Sequence, residues 1–170
     1  AVNLPAMNAL NFPAAILQPP DFDPNRPEVM DYGAAGATIG HEISHSFDDM
    51  GAQFDSKGRL RDWWTKEDAD AFNARAAKLV TQFDNYEVLP GLKVNGKQTL
   101  GENIGDCGGL QVALHAYRIS LDGAEAPVLE GTTGLQRFFM GRAQHRKMIQ
   151  REQALRNQVM TGPHSPARYR

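Results

Sequence analysis

Apolar residues recur at the spacing of an α-helix along most of the chain beyond residue 32. The clearest run lies between Thr65 and Asn85, where apolar side chains three or four positions apart share one face. These side chains are Phe72, Ala76, Leu79, Val80 and Phe83. Thr65 and Asp68 form a capping-box pattern that predicts the start of this helix. Similar patterns predict helices at residues 33–50, ended by Gly51, from about Gly101, at 134–148 and at 152–160.

The first 32 residues show a different pattern. Six prolines exclude a long helix there, so we predict extended chain and loops over residues 1–32 and a helical core over residues 33–170. Asn95-Gly96 lies between short apolar segments and favours a tight two-residue turn. The sequence therefore predicts a single domain over residues 1–170, mainly α with minor β.

Composition narrows the class of protein. With 170 residues, of which 41% are hydrophobic and 22% charged, the chain can bury a sizeable core and is not disordered. The net charge of -2, with scattered Lys and Arg, argues against a nucleic-acid partner. No apolar run is long enough to span a bilayer. Cys107 is the only cysteine, which excludes an intrachain disulfide, and we expect it to be a small buried residue.

The candidate chemistry begins with the pattern His41-Glu42-x-x-His45. In a helix the two histidines lie one turn apart on the same face, where two imidazoles can hold one metal ion. Glu42 points about a quarter-turn away, so it can reach a water at that metal and act as the general base beside zinc. The alternative is a helix with two ordinary histidines. A third metal ligand elsewhere in the chain would argue against this alternative.

That third ligand is predicted in the helix that begins near Gly101. Glu102 and Asp106 lie four residues apart on one face, where two carboxylates repel unless a cation or an imidazole N–H lies between them. A catalytic zinc site keeps three protein ligands and accepts a carboxylate among them. We therefore assign Glu102 as the third ligand and Asp106 as the acceptor that orients a ligand histidine. An exposed acidic face is the alternative.

Other polar residues are assigned from their positions. Asp48 follows His45 by three residues and can accept a hydrogen bond from its free ring nitrogen; the alternative is an exposed carboxylate at the helix end. His115 is read as an ordinary surface or packing residue. We predict that the basic face of the helix at 134–148 is solvated. That face comprises Arg142, Arg146, Lys147 and Arg151.

The two zinc-binding patterns, about sixty residues apart, resemble those of the neprilysin-like zinc metallopeptidases, which include endothelin-converting enzymes and bacterial oligopeptidases. Further blocks resemble the family in the same order. They are Phe12 to Pro20, Asp62-Trp63-Trp64-Thr65, Val94-Asn95-Gly96 with Thr99-Leu100-Gly101, and Pro163-His164-Ser165-Pro166. The resemblance covers nearly the whole chain and implies the C-terminal catalytic portion of such an enzyme, with the catalytic lobe of thermolysin-like enzymes (gluzincins).

The resemblance also implies residues that bind substrate. His164 would donate a hydrogen bond to the developing oxyanion, and Arg170 would grip a substrate carbonyl. Ala1 corresponds to an alanine that binds the substrate backbone, and Ile16 to an apolar pocket wall.

Two positions depart from the family pattern in the pocket beyond the cleaved bond. Asp21 stands where relatives carry an aromatic residue, and Arg146 stands where they carry a tryptophan. Either the pocket is more polar than in relatives or its neighbours repack, so a preference for bulky apolar residues does not carry over safely.

The implied function is a zinc-dependent endopeptidase that hydrolyses internal bonds of short peptides. One Zn²⁺ per chain would be held by His41, His45 and Glu102, with Glu42 as the general base. One alternative is a zinc-binding fragment that is inactive alone and needs a missing N-terminal lobe or a complementary chain; another is an unrelated interaction domain with incidental histidines.

The resemblance also predicts that the lobe lacks segments at its two ends, and it predicts the cellular location. The asparagine that precedes the family alanine is absent before Ala1, and relatives continue past the arginine at position 170, so we expect a lobe that is incomplete at both ends. We expect an extracytoplasmic location, in a bacterial periplasm or secreted, with a cytoplasmic location as the alternative.

Overall fold

A computed structural model describes all residues, 1–170. It is mainly helical, with two small antiparallel ribbons of two strands each, as predicted. The strands are β1 (Val2–Leu4), β2 (Ala9–Asn11), β3 (Glu87–Leu89) and β4 (Leu92–Lys93). The helices are α1 (Glu28–Asp31), α2 (Ala37–Ser44), α3 (Lys66–Asp84), α4 (Leu100–Ser120), α5 (Gly134–Arg146) and α6 (Glu152–Thr161).

Helices α2 and α4 pack against each other through glycines. A Cβ on Gly109 would lie 2.5 Å from the carbonyl oxygen of Ala37, and one on Gly40 would lie 2.8 Å from the carbonyl oxygen of Gly109. Because neither glycine has a side chain, the two backbones approach closely at this point. His41 follows Gly40 directly, so the close crossing sets the distance between His41 and the carboxylates of α4.

Replacing Gly109 with alanine is expected to lower the free energy of unfolding by about 1–3 kcal/mol, because the added methyl group meets fixed backbone atoms. Gly36→Ala is the matched control, since its Cβ would have no neighbour nearer than 3.5 Å. This control should be neutral or stabilising by up to about 1 kcal/mol. Urea unfolding of both variants measures the difference, and equal stabilities would contradict the role of the crossing.

Two clusters of buried apolar side chains form the core. The larger one joins α1, α2, α4 and α5. It contains Val29, Met30, Ala37, Ala113, Tyr117 and Phe138. The smaller one joins the end of α3, the β3–β4 ribbon and α6. It contains Phe83, Val88, Val94 and Val159. Among the candidate zinc ligands, His41 lies on α2, His45 directly follows α2, and Glu102 lies on α4. The larger cluster packs these two helices together.

The helix at residues 33–50 differs from its prediction at both ends. Helical structure begins at Glu28, directly after Pro27, so the boundary predicted at residue 33 is wrong. A π-helical segment at Tyr32–Gly36 leads into α2, which ends at Ser44 and continues only as a 3₁₀ turn. Gly51 begins another 3₁₀ turn.

The predicted turn at Asn95-Gly96 is also displaced. The β3–β4 ribbon turns at Pro90-Gly91, where Gly91 has a φ of 74° that favours glycine. Gly96 instead donates its N–H to Asp84 Oδ1 at 2.7 Å, and the Asn95 carbonyl accepts from Thr99 N at 3.1 Å. This segment therefore forms the approach to α4.

Other predictions for the helices are confirmed. Helix α3 begins after Thr65, whose side chain accepts a hydrogen bond from Asp68 N at 3.1 Å. Helices α5 and α6 lie within two residues of their predicted limits. His115 is exposed, in agreement with its assignment as a surface residue.

Cys107 is exposed, so its predicted burial is wrong. The face of α4 that packs against α2 repeats every four residues, at Gly105, Gly109 and Ala113. Cys107 lies two residues away from Gly105 and Gly109, which places it on the opposite side of the helix.

Candidate active site

The three predicted zinc ligands lie together where α2 and α4 meet. His41 Nε2 is 3.2 Å from Glu102 Oε2, and His45 Nε2 is 3.9 Å from Glu102 Oε1. One ligand atom from each of the three residues lies within 4.8 Å of the others. Two imidazole nitrogens and one carboxylate are a donor set that catalytic zinc uses, so the residues fit this metal.

Each of the two histidines has a carboxylate at its other ring nitrogen. His41 Nδ1 is 3.0 Å from Asp106 Oδ1, and His45 Nδ1 is 2.6 Å from Asp48 Oδ2. These contacts turn both Nε2 atoms towards Glu102, as carboxylates do for metal-binding histidines. Asp48 and Asp106 are 3% and 6% exposed, so the alternatives of an exposed helix-end carboxylate and an exposed acidic face are wrong.

Asp48 is itself fixed by the backbone. Its Oδ1 accepts hydrogen bonds from Met50 N at 2.9 Å and Gly51 N at 2.7 Å. This local turn replaces the last part of the helix that was predicted at residues 33–50. It also leaves Asp48 Oδ2 free to face His45.

Three arginines surround Asp106. Its Oδ1 accepts from Arg142 Nη2 at 2.6 Å and from Arg146 Nη2 at 2.8 Å, and its Oδ2 accepts from Arg170 Nε at 2.5 Å. The prediction that Arg142 and Arg146 lie on a solvated face is therefore wrong: Arg142 is 5% exposed and Arg146 is half-buried. The two residues are four apart on α5, so they reach the same carboxylate from adjacent turns. Lys147 and Arg151 are exposed as predicted.

The loop that carries His164 is anchored to α4. Ser165 Oγ donates to Asn103 Oδ1 at 2.8 Å, and both residues are 1% exposed. This buried contact holds His164 Nε2 at 3.0 Å from Glu102 Oε2. The sequence did not indicate a role for Asn103 or Ser165, although Ser165 belongs to the block Pro163-His164-Ser165-Pro166.

A cleft of about 650 Å³ opens in front of these groups. Glu42, which is 7% exposed, lies in its wall beside the candidate ligands, and Ala1 also lines it. Asn3 on β1 donates to the Glu42 carbonyl at 2.7 Å and to Ser46 Oγ at 2.9 Å. These contacts fix the first strand beside the cleft, and sequence reasoning missed Asn3. Ile16 lies in an adjoining cavity rather than in the cleft.

Comparison with known proteins decides the family. The model of peptidase family M13 matches residues 1–170. The chain belongs to peptidase family M13. The predicted resemblance to neprilysin-like zinc metallopeptidases is thereby confirmed.

Individual M13 proteins are similar over the full chain. Neprilysin-11 of Caenorhabditis elegans is 43% identical over 98% of the chain, and human endothelin-converting enzyme-like 1 is 43% identical over 100%. These matches cover 20% and 22% of the two relatives, so the chain spans about a fifth of their length. The structure of the Mycobacterium tuberculosis zinc metalloprotease ZMP1 with an inhibitor superposes with a TM-score of 0.95 at 48% identity. This superposition covers 99% of the chain and 26% of ZMP1, and it confirms the predicted catalytic-lobe fold.

The charges of the M13 site perturb each other strongly. Burial alone would lower the pKa of His41, but hydrogen bonds with Asp106 and Glu102 outweigh it and raise the pKa to about 9. Burial would raise the pKa of Glu102, yet hydrogen bonds from His164 and His41 hold it well below its usual range. The pKa of Asp106 is held below its usual range in the same way by His41 and Arg170, against the effect of burial.

We expect the metal-free protein to lose stability as pH rises from about 6.5 to 9. The pKa of His41 is raised on folding to about 9, so the stability it contributes is complete below its unfolded value and is lost as the ring deprotonates. The pKa of His45 is raised in the same sense, mainly by its hydrogen bond with Asp48. Zinc should reverse this trend, because metal ligands must be neutral imidazoles.

Thermal melting at several pH values, with and without zinc, tests this expectation. Replacing the exposed His115 with asparagine is the control and should leave the profile unchanged. Metal-free stability that stays constant or increases between pH 6.5 and 9 would contradict the assignment of His41.

Proposed function

We propose that the protein is a zinc-dependent endopeptidase that hydrolyses internal bonds of short peptides. The observation that carries the proposal is the position of Glu42, which lies in the wall of the same cleft as His41, His45 and Glu102. A metal site with an adjacent carboxylate that is not one of its ligands is the arrangement that metal-assisted hydrolysis requires. Membership of family M13 supports both the metal and the reaction.

One zinc ion per chain would be held by His41, His45 and Glu102. When bound, zinc polarises the peptide carbonyl and makes water acidic enough to lose a proton near neutral pH. Asp106 and Asp48 keep the Nδ1 atoms of the two histidines engaged, so that each Nε2 faces the metal position. Both carboxylates therefore act through the ligands.

Glu42 would take the proton from the attacking water and later pass it to the leaving amine. His164 and Arg170 would donate hydrogen bonds as negative charge develops on the carbonyl oxygen. Their positions support this role: His164 Nε2 and Arg170 Nη2 lie 3.0 and 3.2 Å from Glu102 Oε2, at the candidate metal ligand. The side chain of Arg170 is only 5% exposed, so it is held rather than free.

The substrate would lie along the cleft of about 650 Å³. Ala1 in the lining of this cleft would bind the peptide backbone, and Ile16 in the adjoining cavity would provide an apolar wall. The residues of this site come from both ends and the middle of the chain, which supports treating residues 1–170 as one domain.

None of the helices combines the length and the apolar character needed to cross a membrane. An extracytoplasmic location stays a prediction.

A second candidate function is zinc binding without peptide cleavage by this chain alone. The observation that favours it is that the chain spans about a fifth of the length of the curated relatives. In that case activity would need a further lobe or a complementary chain.

Two measurements test these candidates, and the second one separates them. Equilibrium dialysis should find one zinc per chain, which both candidates require. Cleavage of a quenched-fluorescent peptide that stops with a chelator and returns with zinc supports the endopeptidase. Stoichiometric zinc without cleavage favours the second candidate, and a folded protein that binds no zinc contradicts both.

A further inference from the structure

A small cavity of about 190 Å³ adjoins the main cleft and carries unusual chemistry for a peptide-binding pocket. The cavity and the cleft share Ala1, His41, Glu42 and His164 in their linings. A side chain of a peptide held in the cleft can therefore enter the cavity beside Glu42. Apolar residues such as Ile16 line only part of it. The rest is ionic.

Beyond His41, Glu42 and His164, which it shares with the cleft, the ionic part consists of Asp21, His145, Arg146 and Arg170. Asp21 Oδ1 contacts His145 Nδ1. Burial lowers the pKa of His145, and Arg146 and Arg142 lower it further against the effect of Asp21. Asp21 and His145 therefore lie in contact in the cavity wall.

The arginine side of the cavity has more donors than acceptors. Asp106 Oδ1 faces His41 Nδ1, Arg142 Nη2 and Arg146 Nη2 together, although one carboxylate oxygen has two lone pairs. Arg146 Nε is buried and has no hydrogen-bond partner. Burial and the neighbouring Arg142 and Arg170 lower the pKa of Arg146 to about 10, against the effect of Asp106.

We propose that this cavity binds a substrate side chain that ends in a hydrogen-bond acceptor, a carboxylate before an amide, and that Arg146 selects it. The inference rests on the proposed endopeptidase function and names the substrate class. A bulky apolar side chain would exclude water from Arg146 without offering an acceptor, which is unfavourable for a charged donor. A lysine side chain would meet the positive charges of Arg146 and Arg170, and Asp21 in the same cavity lies in contact with His145.

Four peptides that differ only at one residue beside the scissile bond test the proposal: glutamate, glutamine, leucine and lysine. For the zinc-loaded protein, kcat/KM should fall in the order glutamate, glutamine, leucine, and lysine should be no better than leucine. The glutamate-to-leucine ratio should be about tenfold or more, as expected for a site built to donate to its substrate. Mass spectrometry of the products shows on which side of the bond the selected residue lies.

Two arginine variants separate selection from a general loss of activity. Arg146→Met removes the cavity donor and should bring the glutamate-to-leucine ratio close to one. Arg142→Met is the matched control, because Arg142 also donates to Asp106 Oδ1 but does not line the cavity. It should lower turnover of both peptides and leave their ratio unchanged. If Arg146→Met does not fold, Arg146→Lys should lower the ratio to an intermediate value.

The affinities of the four peptides for the zinc-loaded Glu42→Gln variant test the selection by Arg146 independently of catalysis. Fluorescence anisotropy should give the same order of peptide affinities, even if the protein cleaves none of them and the proposed function fails. Preference for leucine or lysine in both assays, the absence of any preference among the peptides, or an unchanged ratio in Arg146→Met would each overturn the selection by Arg146.

Discussion

Replacing Glu42 with glutamine is expected to reduce peptide cleavage by about 10²–10⁴-fold, the usual contribution of a general base. Zinc should remain bound, because Glu42 is not among the three residues whose ligand atoms converge. The glutamine side chain has the same shape, so the buried position in the cleft wall can accept it. Only the ability to take a proton is lost.

The experiment compares kcat for a quenched-fluorescent peptide and zinc content in the same preparations. Glu67→Gln is a suitable control, since Glu67 lies on the exposed first turn of α3 and should leave both values unchanged. Near-normal cleavage by Glu42→Gln would refute the assignment of the base. Loss of zinc together with cleavage would instead identify Glu42 as a ligand.

Replacing Asp106 with asparagine should have the largest effect on stability. The change removes the negative charge shared by Arg142, Arg146 and Arg170, and the side chains of Arg142 and Arg170 are only 6% and 5% exposed. Loss of one partner from such a buried group costs about 3–5 kcal/mol. Zinc affinity should also fall about 10–100-fold, because His41 loses the carboxylate at its Nδ1.

Urea unfolding and zinc titration measure the two effects. Asp70→Asn removes an aspartate whose side chain is 64% exposed and paired only with Lys66, so it should change stability by less than about 0.5 kcal/mol. Equal stabilities of the two variants would show that the arginines do not depend on Asp106.

The sequence predicted the parts of the site that depend on local spacing. His41 and His45 share a face because they lie four apart in a helix, and the same rule placed Glu102 and Asp106 together. Thr65 marked the start of α3 because its side chain bonds within one turn. Such patterns require no knowledge of distant residues.

The sequence did not predict the contacts between distant segments. Arg142 and Arg146 read as a solvated face because nothing nearby in the chain shows that α5 lies against Asp106, 36 and 40 residues away. The anchor between Ser165 and Asn103 spans 62 residues and was missed for the same reason. Asn95-Gly96 is a favourable sequence for a hairpin turn. In the structure, however, Gly96 N–H donates to Asp84 Oδ1, 12 residues away, and the segment leads into α4.

The central claim is that His41, His45 and Glu102 hold one zinc ion where α2 and α4 meet. X-ray absorption at the zinc edge, on protein loaded with one equivalent of zinc, tests it most directly. We predict nitrogen and oxygen neighbours at about 2.0–2.2 Å with the scattering of two imidazoles. A sulfur neighbour at about 2.3 Å, which only Cys107 or a methionine can supply, or a spectrum without imidazole scattering would contradict the account.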